Sequence, residues 1–497
     1  MLEFASPALM SSPSDLLAPG APPEEFRERG LPLRLGVLTE QISPELVDQA
    51  VADAGRVQRR CRLLPARAVV YFVLALCLFS GADSSRPPGY RSVLRSLTTG
   101  LRQLRGIHLP TSAALTQARR RLGEAPLQLL LARLVGPLAT PSTPGAFAFG
   151  RRVVAWDGSG IDVADTDDNV AAFGRASGTG YPQLRLLWLI ECGTHALVDA
   201  VFDGYTVSEQ KLAKRLVGAL RPGMLLLADR NFPGHQLWGL AADTGADLAW
   251  RIKNHQVFWP GQPLPDGSFL SVMPTPAENV RYGQARAIGR QMPNPPQGHP
   301  VRIINYTVTI STAGGATRTE AFRLVTTLLD HQLAPAAQLA ALYSQRWEIE
   351  LAYGDLKTRL RGAGFILRSR SPELVRQEVF ALLAVYQALC ALRTRAATTG
   401  EVDPDRISVT VTIRLARDQA CTQAAMTAAG LTQACQQTIA DLLDELLPDR
   451  RPRSYERLKR TPRNNHPIRR HDHHRPPSNI RCSLAIADDR PYQGKHA

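Results

Sequence analysis

The segment Tyr343-Ser-Gln-Arg346-Trp-Glu-Ile-Glu350-Leu-Ala-Tyr-Gly-Asp-Leu-Lys357 combines a phenol, an acid and two cations at helical spacing. A helix turns by about 100° per residue, which gathers four of these side chains within an arc of roughly 60°: Tyr343, Arg346, Glu350 and Lys357. Glu348 and Asp355 lie off that arc. Glu350 is therefore the acid that lies beside both cations.

A carboxylate between cations suits a metal site beside a nucleic-acid backbone, because the acid coordinates the metal while Arg and Lys hold the flanking phosphates. The alternative is a solvated, salt-bridged helix, as most charged helices are. Lysine is scarce in this chain, and the spacing Tyr-x2-Arg-x3-Glu-x6-Lys arises by chance on the order of one time in a thousand. The spacing favours the functional interpretation.

These four residues resemble the Tyr-Arg-Glu-Lys signature of the insertion-sequence-4 family of DDE transposases. In that family the Glu is the third catalytic acid, here Glu350. The resemblance implies two catalytic aspartates upstream, each at the end of a strand. It also implies a ribonuclease H-like catalytic core and a helical N-terminal DNA-binding region.

Two apolar strands predicted from the sequence end at an aspartate. Residues 153–156 precede Asp157, and residues 224–228 precede Asp229. The run Leu-Leu-Ala-Asp-Arg-Asn-Phe around Asp229 resembles the family's second-acid motif, although Asn231 stands where many relatives have a small residue. A turn aspartate is the alternative for Asp157. Other acids compete with it, but only Asp157 ends an apolar strand: Asp162, Asp165, Asp167 and Asp168.

The order of elements from residue 150 to 253 predicts the topology of the core. Strands are predicted at 153–156, 183–190, 196–202, 224–228 and 247–253, with helices at 208–220 and 234–244. This order resembles the ribonuclease H-like fold, in which the first and fourth strands are neighbours, so Asp157 and Asp229 would lie side by side. The predicted class is α/β: a ribonuclease H-like mixed sheet with a β-rich insertion, a helical N-terminal domain and a helical C-terminal region.

Composition and periodicity divide the chain into predicted units. These are a mobile leader (1–35), a helical N-terminal DNA-binding domain (36–136), a catalytic domain (150–370) with a β-rich insertion (254–332), a helical C-terminal region (371–447) and a basic disordered tail (448–497). A short predicted helix capped by Thr111 carries Arg119, Arg120 and Arg121. These arginines suit base reading, phosphate contact or a solvated face.

The net charge of +15 predicts a polyanionic partner. Roughly half of this excess lies in the tail, which is expected to contact phosphates. The tail also contains a tract of four histidines whose simplest role is polar solvation rather than metal binding: His466, His471, His473 and His474.

Several features point to a cytoplasmic, nucleoid-associated protein. Seven Cys occur without a C-x-x-C pair, so neither a disulfide framework nor a zinc module is indicated. The apolar run at 68–81 is shorter than the roughly 20 residues of a membrane span and predicts a buried helix. The N-terminus lacks the pattern of a secretion signal.

The resemblance also implies cofactors and partners. Asp157, Asp229 and Glu350 would hold two Mg²⁺ ions, for which Mn²⁺ could substitute. Tyr343, Arg346 and Lys357 would contact DNA. The partners would be DNA, as transposon ends and target, and a second copy of the chain in a homodimeric synaptic complex, without a membrane.

Two alternatives to an active transposase stay open at this point. One is a domesticated or decayed protein that binds DNA without catalysis, and the other is a metal-dependent nuclease that only hydrolyses. Two aromatic residues, Trp259 and Trp347, are candidates for stacking on a flipped base.

Overall fold

The computed structural model describes residues 33–58, 64–81, 88–99, 109–176, 180–253, 256, 258–259, 261–290, 292, 294–311, 317–343, 346–362, 364, 366–422, 427–448 and 481–487. Residues 1–32 of the predicted leader and the tract of four tail histidines lie outside this set, so the mobility of the former and the role of the latter are left as predictions. Residues 33–35 are described and buried, so the predicted leader extends too far at that end.

Five helices form the described N-terminal part: α1 (Pro44–Asp53), α2 (Ala66–Leu78), α3 (Tyr90–Leu97), α4 (Ser112–Leu122) and α5 (Ala125–Leu134). The Ser43 hydroxyl caps α1 by accepting from the Leu46 amide, and the Thr111 hydroxyl caps α4 by accepting from the Ala114 amide. Helix α2 is buried along almost its whole length, as the apolar run at 68–81 predicts.

The central sheet contains ten described strands: β1 (Phe147–Ala148), β2 (Arg151–Asp162), β3 (Gln183–Glu191), β4 (Leu197–Gly204), β5 (Met224–Ala228), β6 (Asp247–Ile252), β7 (Phe269–Pro274), β8 (Gly298–Ser311), β9 (Thr317–Thr326) and β10 (Arg481–Ile486). Its main order is β10-β8-β9-β6-β5-β2-β3-β4. Strands β2, β5 and β6 run parallel, while β2, β3 and β4 form an antiparallel meander. The predicted neighbourhood of the first and fourth core strands, and with it the α/β class, is confirmed.

The remaining described helices are α6 (Asp167–Phe173), α7 (Glu209–Leu216), α8 (His235–Ala242), α9 (Pro276–Ala287), α10 (Ala336–Tyr343), α11 (Trp347–Gly354), α12 (Pro372–Thr399), α13 (Val409–Thr422) and α14 (Ala428–Asp444). One face of the sheet packs against α11, α12 and the N-terminal helices, and the opposite face is covered by α7 and α8. Among the described residues, α12 alone is long and apolar enough for a membrane span, but 89% of its apolar window is buried inside the protein.

Strand β2 is longer than predicted. Its parallel pairing with β5 ends at Ala155 opposite Leu227, but antiparallel pairing with β3 continues as far as Asp162. The prediction that the strand ends before Asp157 is therefore wrong. Asp157 lies inside β2, just beyond the end of the ladder with β5.

The insertion and the tail depart from their predictions in part. Strands β7, β8 and β9 are β-rich as expected, but the helix α9 was not predicted, and β9 pairs with β6, so the insertion extends the central sheet. Strand β10 pairs with β8, which contradicts predicted disorder at residues 481–486. Without β10, the outer edge of β8 would present unpaired backbone N–H and C=O groups, and residues 481–486 pair with these groups as an added strand.

The segment from Tyr343 to Lys357 is not a regular α-helix throughout its described part. Helix α10 ends at Tyr343, α11 spans Trp347–Gly354, and a π-helical turn follows directly at Asp355–Leu360. The prediction that one regular helix carries all four signature side chains is therefore wrong for Lys357, which lies on the π-helical turn. Turns of this kind are frequent at functional sites.

Candidate active site

Asp157 and Asp229 occupy equivalent positions just beyond the carboxyl end of the parallel ladder between the central strands β2 and β5. Ala155 pairs with Leu227 in the parallel β2–β5 ladder, and each aspartate follows two residues later. Side chains alternate along a strand, so both carboxylates belong to the face on which Ala155 and Leu227 lie. The sheet thus brings together two acids that are far apart in sequence.

The environment of Asp157 disfavours its negative charge. Burial raises the pKa of this carboxyl to about 6, against the lowering effects of the Gly158 amide and Arg346. The Gly158 amide donates to Asp157 Oδ1 at 2.9 Å. The neighbouring charges of Asp229 and Glu209 raise the pKa further. A cation placed at this edge would relieve that repulsion.

Both carboxylate oxygens of Asp229 are held by one residue. The Asn231 amide donates to Oδ1 at 2.8 Å, and its side-chain Nδ2 donates to Oδ2 at 3.2 Å. The departure from the family pattern at Asn231 therefore supplies a second hydrogen bond that orients Asp229. A small side chain could not make it.

Arg346 connects the strand acids to the helix acid. Its two terminal nitrogens lie 3.9 Å from Asp157 Oδ2 and 3.6 Å from Glu350 Oε1. The arginine side chain is 13% exposed, whereas that of Glu350 is 39% exposed. Glu350 on α11 thus faces the same edge of the sheet as Asp157, with a guanidinium between the two carboxylates.

Tyr353, which the sequence analysis did not single out, fixes α11 on β2. Its hydroxyl donates to the backbone oxygen of Asp157 at 2.6 Å, and its ring lies 4.1 Å from that of Trp188. It follows Glu350 by one helical turn. From the sequence, the only indication of this role is that Tyr353 follows Glu350 by three residues, and that spacing is common in helices.

Tyr343 is buried beneath the site. Its hydroxyl donates to the backbone oxygen of Ala228 at 3.1 Å, and burial raises the pKa of the phenol. The residue is 6% exposed. In this structure the hydroxyl therefore faces the protein rather than solvent, and the predicted DNA contact of Tyr343 stays a prediction.

Lys357 extends from the π-helical turn toward β2. Its ammonium group donates to the Ser159 hydroxyl and lies 5.7 Å from the centroid of the Tyr353 ring. Burial, and then the charge of Arg361, lower the pKa of Lys357 to about 8. Ser159 is two residues beyond Asp157, so a cation lies close to the two strand acids.

A fourth acid, Glu209, lies at the other side of β2. A Cβ atom added to Gly158 would lie 2.5 Å from Glu209 Oε1, so the absence of a side chain at Gly158 makes room for this carboxylate. Burial raises the pKa of Glu209, and the charge of Asp229 adds to the rise. In the sequence Glu209 appears only as the first residue after the Ser208 cap of α7.

The three consecutive arginines of α4 have different surroundings. Arg119 is fully buried and donates to Gln377 Oε1 at 2.8 Å and to Ser369 Oγ at 3.0 Å. The interpretation of this helix as three exposed arginines is therefore wrong for Arg119, which joins α4 to α12. Arg120 and Arg121 are exposed.

Of the two candidate stacking residues, Trp259 lies in the insertion and makes an edge contact with Tyr282 at 6.0 Å. The side chain of Trp347 lies outside the described part of the structure. Base stacking by either residue stays a prediction.

Two family models match the chain: the insertion element 4 transposase N-terminal model at residues 32–132 and the transposase DDE domain model at residues 148–388. The transposase InsG of insertion sequence element IS4 from Escherichia coli K12 is 27% identical over 367 residues, which cover 70% of this chain and 74% of that protein. The putative transposase InsZ from the same organism is 24% identical, over 44% of this chain and 70% of that protein.

A solved structure of piggyBac transposase in a synaptic complex with hairpin DNA aligns with a TM-score of 0.42 and 10% identity, over 87% of this chain and 89% of that one. The two family models together cover both the N-terminal helices and the sheet that carries Asp157 and Asp229. The chain belongs to the insertion-sequence-4 family of DDE transposases, enzymes that cleave DNA with divalent metal ions.

Proposed function

We propose that this chain binds the terminal inverted repeats of its element, cuts DNA at those ends and joins the freed 3′-hydroxyl to target DNA. One observation carries the proposal. Asp157 and Asp229 each follow by two residues the last register pair of the parallel β2–β5 ladder, Ala155 with Leu227, and Arg346 lies between Asp157 and Glu350. The three acids thus lie near the carboxyl end of this ladder, within the part of the chain that matches the DDE domain.

The donor set fits hard divalent cations. Asp157, Asp229 and Glu350 offer carboxylate oxygens, which Mg²⁺ prefers. Burial, and to a lesser extent the charges of Asp229 and Glu209, raise the pKa of Asp157, and a bound cation would favour its charged form. These three residues would hold two Mg²⁺ ions, with Mn²⁺ as a substitute. When bound, such a pair activates the attacking oxygen and stabilises the leaving oxygen of the phosphodiester.

The other residues of the site position the acids and the DNA. Tyr353 holds α11 against the backbone of Asp157 and so sets the approach of Glu350 to the sheet. Arg346 offsets the charge of Asp157 and Glu350. Once a bound metal offsets that charge, the guanidinium would be available to bind a phosphate of the DNA. Lys357 supplies a second cation for the backbone near the scissile bond.

DNA binding away from the site would use the predicted N-terminal unit and the basic excess of the chain. Arg120 and Arg121 are exposed on α4, and the chain carries a net charge of +15. We propose that two copies form a synaptic dimer on the two element ends, in the cytoplasm where the chromosome is accessible. The domain boundaries given from sequence are part of this proposal.

The decisive experiment is cleavage of a labelled DNA fragment that carries the sequences flanking the gene, with Mg²⁺ and with a chelator. Mg²⁺-dependent cuts at the element ends followed by joining to a target plasmid support the proposal. End binding without cleavage would instead favour a decayed DNA-binding protein, and cleavage without joining would favour a nuclease. Inverted repeats next to the gene would support mobility.

A further inference from the structure

A second cluster of metal-ligating side chains lies on the side of α11 away from the candidate active site. His195 Nε2 lies 3.0 Å from Glu348 Oε2 and 3.9 Å from Asp405 Oδ1. One ligand atom from each of the three residues lies within 4.8 Å of the others. Glu348 and Glu350 are two positions apart on a helix and so point in nearly opposite directions.

The histidine of this cluster is held in an unusual conformation. His195 lies in the turn between β3 and β4 with φ of 61°, in the left-handed region that residues with a side chain rarely adopt. Its side chain is 3% exposed. Its amide donates to the Glu191 backbone oxygen at 2.9 Å, and its own backbone oxygen accepts from the Tyr386 hydroxyl at 3.2 Å. The backbone of His195 is thus fixed from both sides.

The second ring nitrogen faces another acid. His195 Nδ1 is buried and lies 3.7 Å from Asp355 Oδ2, and the other oxygen of Asp355 pairs with Arg359. A histidine that binds a metal through one nitrogen commonly directs the other toward a carboxylate, which fixes the tautomer. This arrangement leaves Nε2 as the atom that faces Glu348 and Asp405.

We propose that His195, Glu348 and Asp405 form a site for one transition-metal ion of the Zn²⁺ class, separate from the Mg²⁺ site. Ligands of tetrahedral zinc lie about 2.0 to 2.2 Å from the metal and so roughly 3.3 Å from one another. The distances of 3.0 and 3.9 Å from Nε2 are close to that separation. Three protein ligands leave a fourth position for water.

Ligand chemistry favours this ion over the alternatives. The cluster combines one imidazole with two carboxylates, a mixed nitrogen and oxygen donor set. Imidazole suits Zn²⁺ and its neighbours, while Mg²⁺ and Ca²⁺ prefer oxygen ligands alone. The side chains of Glu348 and Asp405 are 19% and 22% exposed, which leaves a path for the ion.

The proposed ion would join three parts of the fold. His195 belongs to the β3–β4 turn, Glu348 to α11, and Asp405 to the short 3-10 turn after α12. Arg393 shapes that last turn by donating to the backbone oxygens of Pro404 and Ile407. The metal would therefore fix the orientation of the helix that carries Glu350.

Metal content tests this proposal independently of cleavage. The full chain, purified without a histidine tag and with the four histidines of the tail tract and His496 replaced by alanine, is loaded with Zn²⁺. It is then dialysed against excess Mg²⁺, which occupies hard-oxygen sites. We expect one retained Zn²⁺ per chain by mass spectrometry. His195→Gln and Asp405→Asn should each weaken Zn²⁺ binding on the order of 100-fold.

Two control variants, both expected to retain Zn²⁺, test whether binding is specific to this cluster. Asp157→Asn should retain the Zn²⁺, which separates this site from the proposed catalytic one, and His299→Gln, a histidine change elsewhere in the chain, should retain it as well. If His195→Gln does not fold by circular dichroism, Asp405→Asn at the rim of the cluster decides. Absence of retained Zn²⁺ in the parent protein, or equal retention in a folded His195→Gln or Asp405→Asn variant, overturns the proposal.

Discussion

The hydroxyl of Tyr343 donates a hydrogen bond of 3.1 Å to the backbone oxygen of Ala228, the residue immediately before Asp229. A signature residue on α10 thus supports the strand that delivers one of the proposed metal ligands. In Tyr343→Phe the carbonyl loses this donor while the ring packing remains. We expect the free energy of unfolding to fall by about 1 kcal/mol.

The same change should slow cleavage by about tenfold or less while DNA affinity stays near that of the wild type, because only the support of Asp229 is loosened. Denaturant unfolding and single-turnover cleavage measure the two effects. Tyr282→Phe is the matched control, since its hydroxyl bonds the Asn294 backbone oxygen at the surface of the insertion. A large loss of end binding in Tyr343→Phe would instead point to direct DNA contact.

Removing any one of the three proposed metal ligands should abolish cleavage. Asp157→Asn, Asp229→Asn and Glu350→Gln each keep the size of the side chain but remove the charge that holds a cation. End binding, measured by gel shift in the presence of a chelator, should change little because phosphate contacts remain. Asp165→Asn, whose carboxylate pairs with Arg175 at the surface, should stay active. Full activity of a ligand variant would remove that residue from the site.

The sequence predicted which strands carry the proposed acids better than it predicted the shape of those strands. Asp157 and Asp229 were chosen because each follows an apolar run, and the parallel pairing of β2 with β5 confirms that the two strands are neighbours. The catalytic role of the two acids stays a prediction. The end of β2 itself was not predictable. The strand continues because β3 supplies a longer partner on its other edge, which is a long-range property.

Other parts of the site depend on contacts that local periodicity does not contain. Spacing alone predicts a regular helix over residues 343–357, yet Lys357 lies on a π-helical turn. The bonds from Tyr343 to Ala228 and from Tyr353 to Asp157 join this segment to strands that are distant in sequence. Glu209 packs against β2 only because Gly158 lacks a side chain. Such a pairing of a strand glycine with a helix acid becomes visible only when both are placed in space.

Adjacent arginines of α4 should respond differently to substitution. Arg119→Met leaves the buried acceptors of Gln377 and Ser369 without their donor, so we expect a loss of about 3 kcal/mol in the free energy of unfolding. The double variant of Arg120→Ala and Arg121→Ala should unfold like the wild type. If both side chains contact phosphates, it should lower the slope of log K against log salt by roughly 0.9 for each contact.

Thermal or urea unfolding and fluorescence titrations at several salt concentrations measure these effects. An Arg119→Met protein of unchanged stability would contradict the buried network. An unchanged salt slope in the double variant would show that the exposed arginines of α4 do not contact DNA.

The two cations of the site should affect the reaction more than the affinity. If Arg346 and Lys357 only solvate the helix, replacing either by alanine should change stability by a few tenths of a kcal/mol and leave cleavage unaffected. If they hold phosphates near the scissile bond, displacement by about 1 Å can lower the rate on the order of 100-fold. We expect the rate to fall in the order wild type, Tyr343→Phe, either alanine variant, and Glu350→Gln.

The pH dependence of Lys357 offers a test that a structural role would not reproduce. Because burial lowers its pKa to about 8, the ammonium is charged at pH 7 and loses its proton as the pH rises through 8. If this positive charge is essential, its loss above pH 8 should weaken the binding of the reacting DNA. Lys357→Arg keeps its charge throughout this range, so its cleavage rate at subsaturating DNA, relative to that of the wild type, should rise between pH 7 and 9.

Lys357→Met, which is neutral at every pH, should cleave slowly throughout and lack the step near pH 8. The comparison between variants removes contributions from other titrating groups, since those are common to all three proteins. Parallel pH profiles for wild type and Lys357→Arg would show that the charge of Lys357 does not act on the DNA. The bond from Lys357 to Ser159 would then have a structural role, holding the π-helical turn on β2.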